Sequence, residues 1–165
     1  MSASTATESQ AWTLDWVAAL AVITAQLVAM LHPEAIPLDS EELYNAAHGR
    51  MLQLGHLTDL QALQYRSYCG GCSLNALLSA GLFTVFGPSL LAYKMVSVLY
   101  VGLAVLAGSR WLRLQIGPPA AVAFAGLFIL APPTWMELSV VAWGNHMEAG
   151  CLAIVAMVLT ARLHR

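Results

Sequence analysis

The sequence predicts an all-α, polytopic integral-membrane helix bundle of four or five spans with one amphipathic juxtamembrane helix. Three observations carry this. The chain is 59% hydrophobic and 10% charged, whereas soluble domains carry about 25% charged residues. A soluble domain of this size buries only about 70% of the surface its unfolded chain exposes, so much of the solvent must be lipid. The apolar residues also fall into long runs, and a run of about 20 residues crosses the roughly 30 Å hydrocarbon core as a helix. In lipid every backbone group must pair within its own segment, which makes such runs helices. The net charge of −2 leaves no basic footprint for nucleic acid.

Residues 1–11 form a polar tail without Lys or Arg before the first span. A secretory signal needs a basic start and a small-residue cleavage site. The first apolar run, residues 12–31, is therefore read as a retained anchor, ended by Pro33 and Pro37. Residues 32–73 read as a polar outer loop containing a surface helix over 40–54. In that helix Leu43, Ala47, Met51 and Leu54 recur at helical spacing, with Gly55 as the stop. Such a helix lies along the membrane surface. Residues 56–73 read as loop, and residues 74–163 as the remaining helices of a single transmembrane domain.

Within that last part, the apolar stretch 74–86 is short and is broken by Gly87-Pro88. A run over 89–109 is interrupted only by Lys94, and Arg110-Trp111-Leu112-Arg113 reads as a polar link. The run 114–136 is uncharged; the run 138–161 carries one carboxylate, Glu148. Cytoplasmic flanks collect Lys and Arg. This rule puts Arg110, Arg113, Arg162 and Arg165 inside, and places Gly144 to Glu148 and the 32–73 connection outside. Segment 74–86 is then re-entrant; if it spans instead, the connection lies inside.

Two polar clusters stand out at the rims of the apolar runs: Asp39-Ser40-Glu41-Glu42-Leu43-Tyr44 and Gly144-Asn145-His146-Met147-Glu148. Asp39 with Glu42 also matches a capping box, and Leu38 with Leu43 a hydrophobic staple. A cap would fix the carboxylate beside the membrane, so a structural and a chemical role are compatible. A carboxylate inside an uncharged run is costly in lipid, which makes Glu148 a functional candidate. Its competing reading is a helix start capped by Asn145. His146 and Glu148 share a face only if the backbone there is extended. Together with Asp39 they form a candidate acceptor, phosphate or divalent-cation site.

Cys69 and Cys72 form a Cys-Gly-Gly-Cys turn, open to a disulfide, free thiols or thiol redox chemistry. Cys151 reads as packing. Arg50 and Arg66 are the cations of the connection. Arg50 reads as a snorkelling surface residue; Arg66, in Tyr65-Arg66-Ser67-Tyr68, is open to the same reading and is the better candidate for a phosphate ligand. Tyr68, Trp135 and Trp143 read as interface-belt aromatics.

The order of these features resembles the N-terminal module of the GT-C superfamily of membrane glycosyltransferases, which includes protein mannosyltransferases and the aminoarabinose transferase of lipid A. An anchor helix is followed by an acidic motif, then by a surface helix ending His48-Gly49-Arg50-Met51-Leu52-Gln53-Leu54-Gly55. A tyrosine-containing loop comes next, then the short apolar helix and Phe86-Gly87-Pro88-Ser89-Leu90-Leu91-Ala92-Tyr93-Lys94. The family motif has Asp and Glu adjacent; here Ser40 separates Asp39 from Glu41.

The resemblance implies transfer of a sugar from a polyprenyl-phosphate donor to an outward-facing acceptor at a bacterial plasma membrane. It places the catalytic carboxylate at Asp39, with Glu41 as the competing alignment. Arg66, Tyr68, His146 and Glu148 become substrate-binding candidates, and a divalent cation a candidate cofactor. Family members are longer, so the resemblance also implies that a second polypeptide or segment completes the donor site. The alternative reading is a small non-catalytic membrane subunit packed against a partner protein.

Overall fold

The computed structural model describes residues 3–31, 38–56, 72–143 and 146–163. The described residues are all-α, with seven helices: α1 (Ala3–Met30), α2 (Ser40–Gln53), α3 (Cys72–Phe86), α4 (Leu90–Gln115), α5 (Pro118–Ile129), α6 (Pro133–Ser139) and α7 (Met147–Leu163). Helix α4 is the hub. It packs against α1, α3, α5 and α7, while α2 pairs mainly with α3.

Among the described residues, two helices are long and apolar enough to cross a membrane, over Thr13–Met30 and Leu90–Gln115. A third crossing is available if α5 and α6, which meet at 90°, act as one broken span. This is fewer than the four or five spans expected from composition. The reason is geometric: 15 residues in α3 and 17 in α7 rise only about 22 and 26 Å. The apolar runs were also cut differently. Pro132 and Pro133 break the run 114–136 after α5, since proline lacks the backbone donor. The 138–161 run is interrupted by a non-helical stretch before α7. The expected polar link at Arg110–Arg113 is instead helical, within the last two turns of α4, and the expected polar tail is helical from Ala3.

Among the described residues, several polar and charged side chains are buried in an otherwise apolar core, while many large apolar side chains face outward. Asp15, Gln26, Glu42, Asn45, Asn75, Lys94 and Glu148 are buried, while Trp16, Leu20, Val28, Leu77, Val85, Leu99, Leu127 and Leu159 are exposed. Helix α2 shows both features on one element. Its expected apolar stripe, Leu43, Ala47, Met51 and Leu54, faces outward; Glu42, Asn45 and Gly49 face the protein. An outward apolar stripe costs free energy in water, about 25 cal/mol per Å² of apolar surface, and none in hydrocarbon. This arrangement fits a protein whose solvent is lipid.

Small residues let the helices approach closely. A Cβ added at Gly49 would clash with Ser79 Oγ and lie 3.1 Å from the Ala76 carbonyl oxygen, so α2 and α3 meet through the absence of a side chain. Such contacts replace the missing hydrophobic drive between helices in lipid. Gly49→Ala should therefore lower stability by about 1–3 kcal/mol, the usual range for overpacking. Unfolding in detergent micelles measures this. Adding Ser79→Ala should restore part of the loss, because it removes the nearest atom.

Candidate functional site

The break between α6 and α7 organises the buried polar groups. Residues 140–143 are not helical, and Val140, Val141 and Ala142 are fully buried. Irregular backbone at membrane depth is tolerated only where protein satisfies its polar groups. Here three other helices supply the partners. The Ala142 N–H donates to Glu42 Oε1 of α2 at 2.9 Å. The Ala142 carbonyl accepts from Tyr93 Oη of α4 at 2.7 Å and from Asn75 Nδ2 of α3 at 3.4 Å. The Trp143 carbonyl accepts from Asn45 Nδ2 of α2 at 3.2 Å. At the other end, Gln26 of α1 donates to the Ser139 carbonyl and hydroxyl.

Glu42 is the centre of this network. It is fully buried, and Lys94 Nζ donates to both its oxygens at 2.8 and 2.7 Å. The side chains of the pair are 0% and 4% exposed. Two buried charges are tolerable only when paired and further hydrogen-bonded, and Ala142 supplies that extra bond. A second network lies beside it. Glu148 Oε1 accepts from Asn75 Nδ2 at 3.2 Å, and Asn75 Oδ1 accepts from Tyr100 Oη at 3.1 Å. Glu148 therefore points into the helix packing.

The expected site residues are distributed unevenly. Asp39 is the N-cap of α2, and the capping box with Glu42 is present: the Asp39 carboxylate accepts from Glu41 N at 2.8 Å, and Glu42 Oε2 accepts from Asp39 N at 3.4 Å. Asp39 and Glu41 are both half-buried at this helix start. His146 is exposed and meets the Trp143 ring edge-on at a centroid distance of 4.9 Å. Together with Trp135, Leu138 and Met147 it lines a hollow of about 410 Å³. A second hollow, of about 330 Å³, lies between α2 and the α3–α4 corner. Asp39, Glu41 and Glu148 line neither hollow, so the single pocket expected for Asp39, His146 and Glu148 is not what these two hollows form.

Arg66, Tyr68 and Cys69 lie outside the described residues, as does the side chain of Cys72. Cys151 is a free, buried thiol, in keeping with a packing role. Among the described residues, no three His, Cys, Asp or Glu side chains gather as a metal site.

Sequence reasoning missed Lys94 as the partner of Glu42 and gave Tyr93 no role, and it missed Asn45, Asn75 and Tyr100 altogether. One signal was present in the sequence: a lone lysine inside an apolar run needs an anion within reach. It also missed a second charge pair. Asp15 of α1 is buried and receives Arg113 through Nε at 2.9 Å and Nη2 at 2.7 Å. Lys94 and Arg113 both sit on α4, roughly 28 Å apart at about 1.5 Å per residue. That separation is close to the hydrocarbon thickness of about 30 Å.

No family model, curated protein or solved structure matches this chain.

Proposed function

We propose that this chain is a GT-C-like membrane transferase module, acting at a bacterial plasma membrane on its outward face. Its donor is a sugar on polyprenyl phosphate. The single observation that carries the reading is the meeting of three sequence segments at Glu42. The acidic motif, the Phe-Gly-Pro-Ser…Tyr93-Lys94 segment and the stretch leading into Gly-Asn-His-Met-Glu are far apart in sequence. They touch through Lys94–Glu42–Ala142 and Tyr93–Ala142. The first two of these segments carry the family resemblance; the third holds the polar cluster His146 and Glu148. A shared contact is what a common site needs.

Asp39 remains the proposed base. Glu42 is spent on Lys94 and Ala142, and Glu148 is turned toward Asn75. Asp39 sits at the rim, held by its cap and still partly exposed. In the proposed reaction the carboxylate takes the proton of an acceptor hydroxyl. The hydroxyl oxygen bonds to the anomeric carbon, the bond from that carbon to the phosphate oxygen breaks, and the lipid phosphate leaves. The anomeric centre inverts. Glu41 is the competing base. Arg66, Tyr68 and His146 are proposed to bind substrate. A second polypeptide or segment is proposed to complete the donor site. The two charge pairs support an orientation with Glu42–Lys94 near the outer surface and Asp15–Arg113 near the inner one.

The test is transfer of labelled sugar from polyprenyl phosphate by membranes bearing the protein. Loss of transfer on Asp39→Asn supports the reading. Unchanged transfer moves the role to Glu41 or removes it.

One observation favours the alternative, a non-catalytic subunit. Asp39, Glu42 and Glu148 all bond to protein groups, which is what purely structural carboxylates do. In that case Asp39→Asn, Glu41→Gln and the double variant all leave transfer by the intact membrane untouched. Co-purification of a partner protein would then depend on the outward apolar faces.

A further inference from the structure

We propose that the groove between α2 and the α3–α4 corner binds an anionic phospholipid of the bilayer, with its phosphate on Arg50 and a stretch of acyl chain along the apolar walls. This inference does not depend on the transferase reading. One wall is a helical stripe of α2, with Leu43, Ala47 and Arg50; the other is formed by Phe83, Pro88 and Leu90. The α2 wall runs roughly 12 Å from the level of Glu42 to Arg50, and the hollow measures about 330 Å³. Leu43, Ala47 and Leu90 are exposed, so the groove opens toward the surface that faces hydrocarbon in this lipid-solvated fold.

Its charge balance points to an anion. Glu42 at the base of the groove is neutralised by Lys94. Neither ion pair among the described residues includes Arg50, whose guanidinium donates to the neutral amide of Gln53. The groove therefore carries one uncompensated positive charge. Asp39 and Glu41 stand at the opposite end of α2, Glu41 roughly 13 Å along the axis. A guanidinium grips phosphate oxygens through paired, charge-assisted hydrogen bonds. A choline or ethanolamine headgroup adds a cation beside Arg50, so a lipid with net negative charge fits better.

Native mass spectrometry of the full chain, released from micelles doped with defined lipids, tests this. Phosphatidylglycerol should be retained about ten-fold over phosphatidylcholine, a factor typical of one charge-assisted contact. Arg50→Gln should abolish the preference while the melting temperature stays unchanged. Ala47→Trp, which fills the groove from an exposed position, should lower retention of both lipids; if Arg50→Gln lowers the melting temperature, this variant carries the test. Equal retention of phosphatidylglycerol by wild type and Arg50→Gln, or full retention by Ala47→Trp, would overturn the proposal. Displacement of phosphatidylglycerol by a polyprenyl phosphate at ten-fold lower concentration would also overturn it, by assigning the groove to a prenyl lipid.

Discussion

Replacing Lys94 with methionine should destabilise the protein by about 3–5 kcal/mol, the cost of stranding a buried charge by removing its partner. Lys94 gives both Glu42 oxygens their cation, and Glu42 has no exposure through which water could compensate. The loss should spread to the 140–143 break, because the same carboxylate holds the Ala142 N–H. The informative control is Glu42→Gln/Lys94→Met. It removes both charges yet leaves an amide oxygen in reach of Ala142 N–H. Replacing a buried ion pair by neutral groups of similar volume is often close to neutral, so the double variant should regain most of the stability. Urea or thermal unfolding in detergent micelles, followed by circular dichroism, reads both effects. If the single variant is as stable as wild type, the pair does not hold α2 to α4.

The second large effect concerns transfer. A general base contributes about 10²–10⁴ in rate, so Asp39→Asn should lower sugar transfer by that factor. The substitution separates the capping role of this residue from the proposed catalytic one. Asparagine caps a helix about as well as aspartate, and the Glu41 amide can still donate to its side-chain oxygen, so stability should not change. Asp39→Ala removes cap and base together, and should cost about 1 kcal/mol of stability as well. A purely structural Asp39 gives the opposite pattern: Asn behaves as wild type, and Ala loses stability before anything else. Glu41→Gln, measured alongside, shows whether the neighbouring carboxylate carries the chemistry.

Much of the fold was legible because lipid imposes simple rules. Composition gave the all-α class, and the apolar runs at 12–31 and 89–109 became α1 and α4. Asp39, Glu42 and Gly55 marked α2 correctly through local capping chemistry. What was not legible depended on tertiary partners. The 138–161 run looks like one continuous span, since Val140, Val141 and Ala142 are as apolar as any helix interior. It breaks because Glu42, Asn45, Asn75 and Tyr93 satisfy its backbone from three other helices. Local pattern carries no trace of that. The amphipathic stripe of α2 was read correctly as a stripe, but a hydrophobic face says only that something apolar lies opposite. The same limit applies to Glu148: a carboxylate in an apolar run signals a partner, and the partner here is Asn75 rather than an open cavity. Asp15 and Arg113 were available in the sequence as the two charges flanking long apolar runs. Their pairing required knowing that α1 and α4 are neighbours.

In the proposed arrangement the two buried charge pairs mark opposite faces of the bilayer, with the start of α2 and His146 sharing the outer one. Single cysteines at positions 39, 112 and 146, placed in a chain with Cys69, Cys72 and Cys151 changed to serine, test it with a membrane-impermeant maleimide on intact cells. Positions 39 and 146 should label from outside, and position 112 only after the membrane is opened. Labelling of 39 and 112 from the same side, or of 39 and 146 from opposite sides, would rule this arrangement out.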